Sequence, residues 1–391
     1  MAQFSSKPAY TLFDIVKYFL KLGTWGFGGP VALVGYMHRD LVEHKSWLTE
    51  EEYKEGLALA QLAPGPLAAQ LCIYIGFVHY GLLGATLAGI AFILPSFIMV
   101  VLLGMAYRLF GGLAWMQAVF YGVGAAVIGI IGMSAYKLTV KSISKFEFSA
   151  VKAKWLLWLF YIVGVAVTVI TQKEEILLFL ACGIGYMLVK APPQWIKKPA
   201  ALPAVVFIGA GFWKYDGKTL QQMGLFFLKA GAFVFGSGLA IVPFLHSGVV
   251  KQFGWLNERQ FVDAVAVAMI TPGPVVITTG FIGYLVAGFP GACIAALATF
   301  LPCYLFTVAL APSFKKIAKN TSIKAFVEGI TAVVIGALVG SVIIIGLRSI
   351  TDIPTAIIAA ASVFVLINVK KIQEPYIIGM AAIIGLLIKT L

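Results

Sequence analysis

The sequence predicts an all-α polytopic membrane protein made of two related halves. Three observations carry that reading. The chain is 61% hydrophobic and only 12% charged, and its mean hydropathy is +0.96. A soluble chain averages about 45–50% apolar and about 25% charged. Its apolar runs are long enough to cross a bilayer, which takes about 20 residues. Finally, the first half recurs in the second.

The balance of 29 basic against 16 acidic residues gives a net charge of +13. In so apolar a chain this excess reads as Lys and Arg held in cytoplasmic loops, and no nucleic-acid partner is expected. The segment 1–10 is polar, and no short apolar core with a cleavage site follows it. The first span is therefore expected to direct insertion itself. Cys72, Cys182, Cys293 and Cys303 lie in apolar segments with no CxxC spacing, so they read as packed thiols. No metal, cofactor or catalytic constellation is expected: His38, His44, His79 and His246 are dispersed, and no GxxxxGK[ST] nucleotide loop occurs.

Apolar runs place spans near 12–36, 56–80, 82–107, 114–136, 154–171 and 174–190. They recur near 220–246, 260–287, 288–313, 325–347, 353–369 and 375–390, with a shorter run at 200–213. The expected organisation is an N-terminal repeat (1–199), a short connecting span (200–218) and a C-terminal repeat (219–391).

The repeat is visible residue by residue. Lys21, Gly23, Gly28, His38, Trp47, Glu50 and Pro64-Gly65-Pro66 are met again 208 positions later as Lys229, Gly231, Gly236, His246, Trp255, Glu258 and Pro272-Gly273-Pro274. One deletion later the offset is 207, through Gly76/Gly283, Gly84/Gly291 and Leu94-Pro95/Leu301-Pro302.

Basic loops set orientation. Lys137, Lys141, Lys145, Lys152 and Lys154 mark one cytoplasmic loop, Lys190, Lys197 and Lys198 another. In the second half Lys315, Lys316, Lys319 and Lys324 do so at the loop whose counterpart carries only Arg108. Equivalent loops thus fall on opposite sides, which makes the halves inverted and 200–213 a crossing. About thirteen membrane segments result, with the N-terminus inside, loop 38–55 outside and the C-terminus outside. Inverted repeats of this kind are a transporter signature.

Within each half two segments are broken. Pro64-Gly65-Pro66 and Pro272-Gly273-Pro274 each remove two backbone donors and must stop a helix. Gly28-Gly29-Pro30 and its counterpart Gly236-Ser237-Gly238 interrupt the first segments. Broken backbone at membrane depth survives only against protein or a wet cavity, and a restarting helix offers free N–H groups to an anion. The expected donors are the amides of Leu67 to Gln70 and Val275 to Thr278, with the side chains of Gln70, Thr278 and Thr279. Lys21 and Lys229, matched lysines in apolar stretches, are candidates to meet the anion's charge; snorkelling to the interface is their plain alternative. Glu55 and Asp263 are register-matched candidates to carry a coupling proton, and Arg39 and Arg259 candidate gating residues. Plain proline kinks and interfacial carboxylates are the competing readings.

The motifs WGFGGP (25–30), LAPGP (62–66), FVFGSG (233–238), TPGP (271–274) and ATFLPCYLFT (298–307) resemble those of the chromate ion transporter family in its long, duplicated form. The resemblance runs over nearly the whole chain. It implies a secondary carrier of the bacterial inner membrane that exports chromate and confers chromate resistance, with sulfate as structural analogue. A carrier of sulfate or another oxyanion and an anion channel are the alternatives. Protons are a candidate coupling ion, the lipid bilayer is the surrounding medium, and an oligomer is compatible with the reading. Gly236-Ser237-Gly238 departs from Gly28-Gly29-Pro30, which tells against equal roles for the two halves.

Overall fold

The computed structural model describes residues 10–172, 175–193, 219–234, 238–314, 320–369 and 372–390. Among these there is helix and turn but no strand. The connecting segment 200–218 with its 200–213 run, Gly236, Ser237, Lys197, Lys198, Lys315, Lys316, Lys319, Lys370, Lys371 and Leu391 lie outside the described residues.

The first predicted span, 12–36, is not one helix. Helix α1 (Leu12–Trp25) starts on a capping box in which Thr11 and Asp14 satisfy each other's amides. It stops at Gly26, and α2 (Gly29–His38) restarts with Pro30 in its first turn. The chain doubles back between them. Tyr18 Oη donates to Asp40 at 3.4 Å, and the Tyr10 ring stacks on Trp47 at 4.6 Å. In one straight helix residues 18 and 40 would be about 33 Å apart at 1.5 Å per residue. Two arms and a glycine tip form a hairpin.

The second predicted span, 56–80, is corrected in the same way. Helix α3 (Glu50–Leu62), capped by Thr49 and Glu52, runs in to the Pro64-Gly65-Pro66 tip. Helix α4 (Leu67–Phe110) runs back out. His79 Nε2 lies 3.5 Å from Glu52, and a Cβ on Gly56 would collide with the Tyr74 ring. The proline-rich break is a reversal of direction and does not continue the segment across.

Helix α4 folds once more, at Gly81, whose φ is 57°. Cys72 Sγ thereby comes to 3.2 Å from the Ala88 carbonyl. Gly76 and Gly84 stand back to back across this turn, and a Cβ on either would collide with the other's carbonyl. Only the smallest residue lets two backbones approach so closely. Gly283 and Gly291 make the same contact beside Gly288 in the second half.

The second limb of α4 (82–110) and α5 (Ala114–Ser142), each 29 residues, follow. After the short α6 (Phe148–Ala153), α7 (Trp155–Thr171) and α8 (Ile176–Lys190) complete the half. The second half repeats the plan. It has α9 (Thr219–Ala232), a tight turn Gly238–Ile241 leading into α10 (Val242–Leu245), α11 (Glu258–Ile270) and α12 (Thr278–Leu310). Then follow α13 (Thr321–Ser349), α14 (Ile353–Asn368) and α15 (Glu374–Thr390). Predicted spans 220–246 and 260–287 are therefore hairpins too. Helices α3 and α11 are both 13 residues long, and α5 and α13 both 29.

Among the described residues four segments are long and apolar enough to cross a membrane: Leu67–Phe110, Ala114–Ser142, Val275–Leu310 and Thr321–Ser349. Their outward rows, including Leu102, Leu109, Leu297 and Leu347, are exposed, as suits hydrocarbon contact.

The hairpins of the two halves open at different ends of this frame. Those of the first half open where Gly81 turns, since Glu52 meets His79 there. Those of the second open at the far end of α4 and the start of α5. Tyr107 Oη donates to Asp263 at 2.7 Å, and Arg259 donates to the Gln117 carbonyl at 3.0 Å.

Candidate functional site

The breaks of the two halves meet in pairs. Gly65 donates its amide to the carbonyl of Val234 at 2.6 Å, and Gly273 donates to that of Gly26 at 3.0 Å. Each pair joins the proline-flanked tip of one half to the first break of the other, and the two pairs are related by the repeat offset of 208. Each contact thus has its counterpart at the equivalent positions of the other repeat. Buried Ser96 on α4 supports the junction, donating to the Pro272 carbonyl at 2.7 Å. A Cβ on Gly273 (φ 96°) would collide with Ser96 Oγ. One on Gly65 (φ 145°) would lie 3.1 Å from Cβ of Cys303, the counterpart of Ser96.

The restarting helices offer fewer free amides than the sequence implies. Gln70 N–H is bonded to Pro66 at 3.0 Å and Ile277 N–H to Pro274 at 2.9 Å. Thr278 N–H is used by the turn Val275–Ile277. The three side chains expected beside them face their own backbone. Gln70 Nε2 donates to the carbonyls of Pro64 (2.9 Å) and Ala63 (3.2 Å). Thr278 and Thr279 donate to Val275 (2.8 Å) and Val276 (3.1 Å). They staple the breaks. The amides of Leu67, Ala68 and Ala69, and of Val275 and Val276, are the ones left without a backbone partner inside the restarting turn.

Two cavities flank the first hairpin at one end of the molecule. One, of about 720 Å³, lies between its arms and is lined by Lys17, Lys21, Arg39, Lys45, Asp14 and Asp40 among others. The second, of about 340 Å³, is lined by Gly26 to Pro30, Ser134, Lys137, Lys141, Thr271, Gly273 and Glu374 among others. Gly26 and Phe27 belong to both. Bases outnumber acids in each, so the path from this end to the junction is electropositive. Gly28 and Gly29 have φ of 103° and 72° and let the tip present its backbone to the second cavity.

The structure does not bring Lys21 and Lys229 together. Lys21 is exposed and faces the larger cavity; half-exposed Lys229 lines none of the cavities described. Arg39 pairs with Asp40 at 2.9 Å and lies over the Tyr36 ring. Glu55 is half-exposed on α3. Its counterpart Asp263 is 2% exposed and held by Tyr107. Gly238 opens the tight turn after the second half's first break. Ser134, Lys137, Lys141 and Thr271 were not singled out by sequence for this site. The two lysines read there as a loop, whereas α5 runs to Ser142 and carries both on one face with Ser134, at spacings of three and four.

The sequence profile described as chromate transporter matches residues 13–187 and 221–386, one segment in each half. The chain is 63% identical over 384 residues to the chromate transport protein of Cupriavidus metallidurans, covering 97% of this chain and 94% of that one. It is 58% identical to the probable chromate transport protein of Synechococcus elongatus, covering 97% and 96%. An uncharacterized transporter of Bacillus subtilis matches 45% of this chain at 27% identity and is itself 88% covered, as a protein of one repeat would be. No solved structure matches. Duplicated breaks meeting at one junction, a basic approach to it and these full-length relatives agree: the chain belongs to the chromate transporter family.

Proposed function

We propose that this protein is a secondary transporter that carries chromate, or a tetrahedral oxyanion like it, out of the cytoplasm across the bacterial inner membrane, and so confers chromate resistance. The observation that carries the reading is the tip junction with its basic approach. Unpaired amides of Leu67 to Ala69 sit at the head of a helix next to a cross-repeat contact, and lysines line both cavities beside the first hairpin.

In this reading the halves are inverted repeats, supported by hairpins that open at opposite ends of α4 and α5. Each half contributes two re-entrant hairpins and four crossing helices. One further crossing is needed between Lys190 and Thr219, and the 200–213 run is its candidate. Thirteen membrane segments thus divide into nine crossings and four hairpins. Loop 38–55 moves to the same side as Lys137 to Lys154, the cytoplasm by its basic charge. The basic cavities then face the cytoplasm. An inside-negative potential favours outward movement of a dianion by about 2.3 kcal/mol per charge per 100 mV, so uniport and proton coupling are both driven the right way.

The test is saturable uptake of chromate into inverted vesicles, with the pH gradient and the membrane potential imposed separately. Uptake that neither gradient stimulates, or that never saturates, removes the secondary-carrier reading.

A further inference from the structure

The two ends of the molecule treat equivalent residues differently. Helices α5 and α13 share length and register, so Ser134 corresponds to Ser341 and Lys141 to Arg348. Arg348 is engaged. It ion-pairs with Glu258 and donates to Gln172 Oε1 at 2.8 Å. Glu258 also holds His246 Nε2 at 2.7 Å and Lys251 Nζ at 2.6 Å. This network ties the second half's hairpins to α13 and to the end of α7, and Ser341 behind it is 2% exposed.

At the other end the corresponding carboxylate, Glu50, is bonded within its own hairpins, to His38 at 2.9 Å and Lys54 at 3.1 Å. Lys141 has no ion pair among the described residues. It lines the 340 Å³ cavity beside Lys137 and the Gly28 tip, with Glu374 the acidic residue facing the same space. One mouth is latched and the other is open.

We propose that Lys141 and Arg348 are the matched oxyanion-receiving residues of the two mouths, each held by its own repeat's carboxylate, Glu50 or Glu258, while that mouth is shut. The proposal rests on the oxyanion-carrier reading above. A carboxylate and a tetrahedral oxyanion are both acceptors for the same charged donor. Exchanging one for the other lets the mouth open without stranding a cation away from water, which is the costly alternative. The two residues differ in grip, since a guanidinium forks onto an oxyanion and an ammonium binds it as a point charge.

The experiment uses the purified full-length protein in detergent, so that both faces are reached, with Cys293 replaced by Ser. Ser134→Cys or Ser341→Cys then supplies a thiol, and its reaction with a hydrophilic maleimide is timed with and without sulfate, an oxyanion that leaves thiols intact. Position 134 should react and position 341 should not. Sulfate should slow the reaction at 134 in the parent and in Lys141→Arg, but not in Lys141→Gln. Glu258→Gln should speed the reaction at 341 about tenfold, equivalent to about 1.4 kcal/mol of lost latch. Glu258→Asp, which keeps the charge but shortens its reach, takes its place if Glu258→Gln unfolds. Sulfate protection that survives Lys141→Gln overturns the proposal, and so does a position 341 left silent in the Glu258 variants. Absence of sulfate protection in the parent overturns instead the oxyanion reading beneath it.

Discussion

Gly65 donates its backbone amide to the carbonyl of Val234 at 2.6 Å, so the tip of one repeat is completed by the other. Gly273 and Gly26 repeat the contact at 3.0 Å. The junction is therefore a joint product of both halves, and variants at either tip should behave as lesions of the whole.

Stability at the junction provides the first prediction. Gly273→Ala puts a Cβ against Ser96 Oγ at a positive φ, where an L-residue costs about 1–2 kcal/mol before any clash. The melting temperature in detergent should fall by several degrees, and Ser96→Ala added to it should recover a part. Full additivity of the two changes would show that they do not touch.

Straightening a tip should abolish flux. Pro64→Ala and Pro272→Ala remove the ring that bars helical continuation, and with it the sharp reversal that frees the amides of Leu67 and Val275. Membrane levels of both variants should stay near those of the parent while chromate uptake into vesicles drops at least about tenfold, the scale of one lost charge-assisted hydrogen bond. Uptake at parental rates in both would make the tips packing devices.

Lys21 and Lys229 should now part company. Lys21 faces the basic cavity, so Lys21→Gln should raise the half-saturating chromate concentration severalfold, and Lys21→Arg should keep much of the parent's affinity. Lys229→Gln should change it less, because that side chain lines neither basic cavity. Equal losses at the two positions would mean that Lys229 meets the substrate in another state of the carrier.

Asp263 is the carboxylate to test for coupling. It is buried and held by Tyr107 at 2.7 Å. Asp263→Asn should leave flux driven by the membrane potential but make it insensitive to an imposed pH gradient, and Glu55→Gln should keep the parent's response. A pH-gradient response that survives in Asp263→Asn would eliminate this residue as the proton carrier.

Sidedness is open to direct labelling. A thiol introduced at Trp47 or Lys54 should be reached from the cytoplasmic face, along with one at Lys145, and a thiol at Lys389 from the other. Labelling of position 47 from outside would restore 12–36 as a crossing.

Much of this was legible beforehand, for identifiable reasons. Duplication, helix breaks and the matched Lys, His and Glu positions are written in residue identity, and the boundaries of α3 and α11 and of α5 and α13 keep the offsets of 208 and 207. The reversals were not legible. A window of hydropathy over 56–80 records that the segment is apolar, and the direction of the chain after Pro66 leaves no trace in that average. Only long-range pairs such as Glu52 with His79 reveal it. The lysines of α5 escaped because positive-inside logic assigns such residues to loops, while the helix continues past the apolar run to Ser142. That Gln70, Thr278 and Thr279 donate to their own backbone was not legible either, because a polar group beside a break can serve a ligand or the break itself, and composition does not distinguish the two.

The Gly65–Val234 contact also constrains how the protein is made. When the first repeat has left the ribosome, the acceptor for Gly65 has not yet been synthesised, and the short limb 67–80 spans only about 21 Å at 1.5 Å per residue. The Gly65 tip is therefore completed only once Val234 of the second repeat is in place. Two fragments severed between the repeats and produced together would therefore have to mature as a pair.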